Sequence, residues 1–190
     1  MNNQGDLIER LKRGDTDALA TVFEAHSDKI YGLAVGILHD EQQADGVVQD
    51  TFIKLIKSID TFKGRSGIGT WLYRVAYNEC MGRLRRIKPD RSLDDMSDHD
   101  FMPDNFTSWN DVPDEVLTSQ EAITQMQVAI DALSPTLQIA FKLRDIEGFT
   151  TAETASILKV SESVVKVRLH RARLELREML ADYFEEYALR

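Results

Sequence analysis

"VSESVVKVRLHRARLELREML", Val160 to Leu180, is the stretch on which the reading of the whole chain turns. Together with Lys159 just before it, the segment gathers Lys166, Arg168, Arg171, Arg173 and Arg177 in a chain whose formal net charge is −9. Val165, Leu169, Ala172 and Leu176 recur at spacings of 4, 3 and 4, the period of a helix that lays one face on a core. Val164, Val167, Arg168 and Arg171 fall on another face, where an apolar side chain among cations suits a thymine methyl in the major groove. Lys166, Arg173 and Arg177 are placed for phosphates. Upstream, Thr151 to Leu158 predicts a short helix and Lys159-Val160-Ser161 a break. Ser161 is a good N-cap, and Glu162 sets negative charge at the positive end of the next helix. A short helix, a turn and a longer basic helix form the pattern of a helix-turn-helix. Composition alone fits a solvated amphipathic helix equally well; the preceding helix and turn favour duplex DNA. The DNA-contacting residues expected here are Ser163, Val164, Lys166, Val167, Arg168, Arg171 and Arg173.

The charge of the rest of the chain is unevenly spread. Residues 1–88 hold 13 basic and 12 acidic side chains, residues 89–120 hold one and nine, and residues 121–190 hold nine and 11. The middle stretch also contains three of the four prolines, and it lacks the period of either a helix or a strand. It predicts an acidic linker over 89–115. Phe101, Met102, Phe106, Trp109 and Val112 make it more apolar than a bare spacer needs, so part of it is expected to dock. The single cysteine, Cys80, excludes an internal disulfide and suits a reducing compartment. No apolar run reaches the length of a membrane span, and the polar start lacks a secretory core. These features predict a cytoplasmic protein without direct membrane contact.

Both flanks of the linker read as helical, so the expected fold is all-α: two small helical domains, 1–88 and 116–190, joined by the tether. In the first, a break is expected at Gly14-Asp15, and a segment starting near Ala25 is expected to end at His39-Asp40. "DEQQADGVVQDTFIKLIKSI" then sets Ala44, Val47, Val48, Thr51, Phe52, Leu55, Ile56 and Ile59 on one stripe. A glycine-rich loop, "FKGRSGIG", leads into "TWLYRVAYNECMGRLRRIK". In the second domain, helices are expected over 116–133, over "PTLQIAFKLRDIEG" up to Gly148, and in the helix-turn-helix pair.

"LRDIEGFT", "AETASIL" and "VKVRLHRAR" resemble the sigma-4 domain of extracytoplasmic-function (group 4, sigma-70 family) RNA polymerase sigma factors. "ADGVVQDTFIKLIKSI" and "FKGRSGIGTWLYRVAYNECMGRLRR" are similar to the sigma-2 domain of the same family. The resemblance implies an alternative sigma factor that directs promoter-specific initiation. Sigma-4 would read the −35 element and touch the beta-flap, while sigma-2 would grip the beta-prime clamp of core RNA polymerase and melt the −10 element. Gln49, Asp50 and Lys54 match the polymerase-facing positions. Capturing unpaired bases needs backbone polar groups and stacking surface beside cations. Lys63, Arg65, Ser66, Gly67, Ile68, Arg74, Tyr77, Asn78, Arg85 and Arg86 are the residues expected to supply them. Trp71 and Tyr73 are expected in the core. Gly46 stands where the family usually has an acid, Gly82 where it has Asp or Asn, and Lys159 where it often has Gly. The resemblance also implies promoter DNA and an anti-sigma factor as partners, and a linker that threads the polymerase cleft.

Other classes fit less well. His26, His39, His99 and His170 form no metal-ligand spacing, and no phosphate-cradling glycine loop or GxSxG is present. No enzyme, metal or cofactor is therefore expected. A stand-alone helix-turn-helix regulator binding an operator as a dimer is the main alternative. It would need neither the clamp-like helix nor the loop before Trp71. A sigma-like interaction module without promoter opening is a third.

Overall fold

The computed structural model describes residues 3–64, 66–87 and 120–188. The whole of the expected linker, 89–115, and Arg65 therefore lie outside the described residues. The regular elements are all helices, with no strand among the described residues. The described residues fall into two compact units, the first comprising residues 3–87 with Ser156–Lys159 and the second the rest of 120–188.

In the first unit, α1 (Asn3–Lys12) ends where Gly14 takes a φ of 73°. That left-handed residue lets the amide of Asp15 donate back to the carbonyl of Arg10 at 3.1 Å, closing the helix end. Asp15 then caps α2 (Thr16–Leu38) by accepting from the amides of Asp17 and Ala18. The helix runs unbroken to Leu38, so the segment start expected near Ala25 is not a helix boundary. Its apolar turns continue past that point because nothing in "FEAHSDK" removes an amide or demands a left-handed residue. His39 stops it at φ 52°, and Asp40 starts α3 (Glu41–Ser58) by accepting from the Gln43 amide at 2.9 Å. A 3-10 turn (Ile59–Thr61) and a loop then lead to α4 (Ile68–Ile87).

The amphipathic stripe of α3 buries Ala44, Val47, Thr51, Phe52 and Leu55 against α2 and α4. Fully burying a Val or Leu of this kind stabilises by roughly 1.5–3 kcal/mol. Thr51 is polar at 0% exposure, but its hydroxyl donates to the carbonyl of Val47 at 2.7 Å, which offsets its desolvation. Ile56 departs from the expected stripe and stays 55% exposed. It lies at the edge of a cavity of about 210 Å³ bordered by Leu11, Leu19, Leu55 and Ile59. At about 100° per residue, Ile56 is turned a step beyond Leu55 and Phe52 toward solvent.

In the second unit, α5 (Gln120–Ala132) and α6 (Pro135–Phe141) pack on α8 (Glu162–Ala188). Ile130, Leu133, Leu137, Phe141, Leu176 and Leu180 make the centre of that core. The described part of α5 begins at Gln120, within the helix expected over 116–133. The α6 helix is shorter than expected because the chain widens into a π-helical turn, Lys142–Ile146, before Gly148 ends it at φ 74°. Next, α7 (Thr151–Leu158) starts from a capping box, Thr150 to Glu153, that the expected helix start did not include. The Thr150 hydroxyl accepts from the Glu153 amide, and the Glu153 carboxylate accepts from the Thr150 amide.

Candidate nucleic-acid interface

The loop before α4 is held by aromatic packing. Phe62 meets Trp71 edge-on with ring centroids 6.3 Å apart, and Gly64 takes the left-handed φ of 65° that turns the chain. Behind the first turn of α4, His26 of α2 stands edge-on to Tyr73. A Cβ on Gly69 would come within 3.1 Å of the His26 ring, so the helix start approaches α2 where only a glycine fits easily. Tyr73 is a core residue at 1% exposure, and Trp71 is half-buried. Ile68, expected on the DNA-facing side, is instead buried at 5%. It is the first residue of α4, and its apolar side chain turns into the core and anchors the loop.

Lys63 remains exposed, and Ser66 and Gly67 are partly so. On α4, Leu72, Ala76 and Cys80 make the buried face. Arg74, Asn78 and Arg85 lie on the opposite side of the helix at about 100° per residue, with Tyr77 on its flank. Arg74, Tyr77 and Asn78 are half-buried, while Arg85 and Arg86 are exposed. None of these three arginines is ion-paired to another described residue. The arrangement offers cations, a ring and an amide beside a turn with accessible backbone, a set suited to phosphates and splayed bases. Cys80 takes no part: burial pushes its thiol up to about 12, which keeps it protonated.

The face of α3 is less free than its sequence implies. Gln49 is exposed, but Asp50 accepts from Nη2 of Arg83 on α4 at 2.6 Å, and Lys54 pairs with Glu79 on the same helix. Arg83 also donates from Nη1 to the Gln43 side chain at 3.0 Å and to the Gln43 carbonyl at 3.3 Å. Its guanidinium lies against Gly46, where a Cβ would sit 2.7 Å from Nη1 and 2.9 Å from Nη2. The glycine that stands where an acid was expected thus makes the notch that Arg83 occupies.

In the helix-turn-helix, Lys159 takes a φ of 59°, and the Val160 amide donates back to the Ala155 carbonyl at 3.2 Å. Lys159 therefore adopts the left-handed conformation that a glycine would take there. The Ser161 hydroxyl accepts from the Val164 amide at 3.3 Å, as expected of an N-cap. Ser163 and Lys166 are exposed, and Val164 and Arg171 are half-buried. Val167 and Arg168 are buried at 9% and 5%, so neither presents a free face in this structure. Arg173 is committed elsewhere: its Nε and Nη2 donate to the two carboxylate oxygens of Asp145 at 2.9 and 2.8 Å. A two-pronged pair of this kind uses the planar fork that a phosphate would need, so Arg173 acts as a brace between α8 and the π-helical turn. Sequence reasoning also passed over Gln43, Glu79 and Asp145, and it set Arg83 among the phosphate-binding cations at the end of α4, whereas its guanidinium is held by Gln43 and Asp50. Only the capping box had a readable signal, threonine three residues before glutamate.

Among the described residues no group of His, Cys, Asp or Glu is arranged to hold a metal, and no helix is long and apolar enough to cross a membrane.

Known proteins match both units. The family profile of sigma-70 region 2 matches residues 22–89, and that of sigma-70 region 4 matches residues 123–176. The ECF RNA polymerase sigma factor SigW of Bacillus subtilis is 32% identical over 178 residues, covering 92% of this chain and 95% of its own. The RNA polymerase sigma-H factor of Pseudomonas aeruginosa is 30% identical over 183 residues, 95% of each chain. Among solved structures, RpoE of Bartonella quintana in complex with the anti-sigma factor NepR has a TM-score of 0.61 at 23% identity, over 85% of this chain and 96% of that one. CnrH in complex with the cytosolic domain of CnrY has a TM-score of 0.60 at 20% identity, over 94% and 97%. At such identities these two likenesses speak to the fold.

Proposed function

This chain belongs to the extracytoplasmic-function family of RNA polymerase sigma factors, and we propose a division of its initiation work between its two units, in the cytoplasm and without catalytic residues of its own. It is an alternative sigma factor that binds core RNA polymerase and directs promoter-specific transcription. The single observation that carries this assignment is the 32% identity running through 92% of the chain. A stand-alone operator binder would have no use for that match in α1 to α4.

Within this frame α3 faces the beta-prime clamp with Gln49, Asp50 and Lys54. The loop and α4 capture the opened −10 strand. Lys63, Ser66 and Gly67 approach the backbone, and Arg74, Tyr77 and Asn78 meet the bases. Arg85 and Arg86 hold phosphates beyond them. The N-terminal half of α8 reads the −35 element, with Ser163, Val164, Lys166 and Arg171 nearest the groove. The second unit also meets the beta-flap. An anti-sigma factor covers these surfaces when the factor is idle, a partner supported by the two similar folds solved with their own partner proteins.

Run-off transcription with purified core polymerase on a pool of genomic promoter fragments tests the assignment. Discrete transcripts that depend on the protein and share −35 and −10 elements are the expected result. Tight duplex binding by the free protein, with no polymerase binding, would overturn it in favour of an operator-binding regulator.

A further inference from the structure

We propose that Arg83 is a positioning residue for the polymerase-facing surface of α3, acting through Asp50. The proposal rests on the sigma-factor assignment above. Arg83 belongs to α4, the helix given to promoter DNA, yet its guanidinium is spent on α3. Nη1 reaches the side chain and the carbonyl of Gln43, and Nη2 reaches one oxygen of Asp50 at 2.6 Å. Those three contacts hold the group over Gly46, and Gly46 is what leaves room for it.

The chemistry follows from how each partner is exposed. The Arg83 side chain is 20% exposed and that of Asp50 46%. Arg83 is therefore the inner partner, fixed by α3 backbone and side chain, and Asp50 is the outer one. One carboxylate oxygen is taken by Arg83, and the exposed remainder can still accept from an incoming donor. A carboxylate already held in one rotamer loses less freedom on binding than a free one, so fixing it favours association. The guanidinium fork suits this task better than a lysine, whose single ammonium cannot bridge Gln43 and Asp50 along fixed directions. Lys54 pairs with Glu79 one turn further along the same two helices. Both charged residues expected to face polymerase are thus oriented from α4.

The test is a double-mutant cycle on affinity for core polymerase, using the full chain. The variants are Arg83→Met, Asp50→Asn and the two together, with thermal stability followed in parallel. Arg83→Met is expected to weaken binding about three- to tenfold, at a saturating transcript yield close to that of the parent. In the Asp50→Asn background the same change is expected to have almost no further effect. Gly46→Ala should reproduce the loss with every charge retained, because its Cβ displaces the guanidinium, and Arg83→Lys should recover only part of it. A loss of equal size with and without Asp50, or unchanged binding by Arg83→Met, would overturn the proposal. Failure of the parent protein to bind core polymerase would be the failure of the sigma assignment itself, a separate and distinguishable result.

Discussion

Two glycines in helices of the same unit allow the notch at Gly46 to be measured by stability alone. Replacing a glycine inside a helix by alanine gains about 1 kcal/mol from backbone entropy and shielding. At Gly82 of α4 nothing lies within 4 Å of the new methyl, so Gly82→Ala should realise the whole gain. At Gly46 the methyl would stand 2.7 Å from Nη1 and 3.1 Å from Cζ of Arg83. The guanidinium must move by roughly 1 Å to restore ordinary contact, which breaks its short bond to Asp50. That half-exposed pair is worth about 0.5–1 kcal/mol, enough to cancel most of the helix gain. Gly46→Ala should therefore be close to neutral. In an Arg83→Ala background the obstruction is gone, and Gly46→Ala should again gain about 1 kcal/mol. Urea unfolding followed by Trp71 fluorescence, in a Trp109→Phe background, reports on the unit that holds both glycines. For a unit of this size 1 kcal/mol corresponds to about 4–8 °C in melting temperature. Equal stabilisation by Gly46→Ala and Gly82→Ala, with no dependence on residue 83, would refute the reasoning.

Other consequences are open to direct measurement. Cys80 is buried with its thiol pushed up to about 12, so a thiol reagent at pH 8 should label the native protein only as fast as the first unit opens. Labelling should become immediate in denaturant. Asp145→Asn should cost about 2 kcal/mol in the second unit by removing the charge from the pair with Arg173, and Arg173→Lys should not substitute for the fork; urea unfolding of the variants reads both. Asp15 is held below its ordinary value of 3.8 by its hydrogen bond from Arg10 and by the amides it caps. A lowered folded value means its stabilisation is complete above 3.8 and is lost as the pH falls through the folded value. Asp15→Asn should therefore melt below the parent near neutrality, and the gap should close in acid.

The local pattern of the chain determined most of the fold. The breaks at Gly14-Asp15, at His39-Asp40 and at Gly148 were legible because a left-handed residue or a capping carboxylate acts on the backbone within a few positions of itself. The apolar period of α3 and α8 was legible for the same reason: residues three and four apart share a face whatever lies opposite. The break at Lys159 was legible between two predicted helices, but its left-handed φ of 59° was not, since a lysine there fits a different turn equally well. What only the tertiary structure decided is which polar and apolar side chains on those helices remain available. Arg173 looked like a phosphate ligand until Asp145, 28 residues away, was found to hold its fork. Asp50 looked like a free carboxylate until Arg83, 33 residues on, was found beside it. Ile68 and Val167 looked exposed by their neighbours in sequence and are buried. Helical period depends on dihedral angles that each residue sets locally. Ion pairing and burial depend on which helices come to lie against each other, and that is settled by the packing of the whole unit.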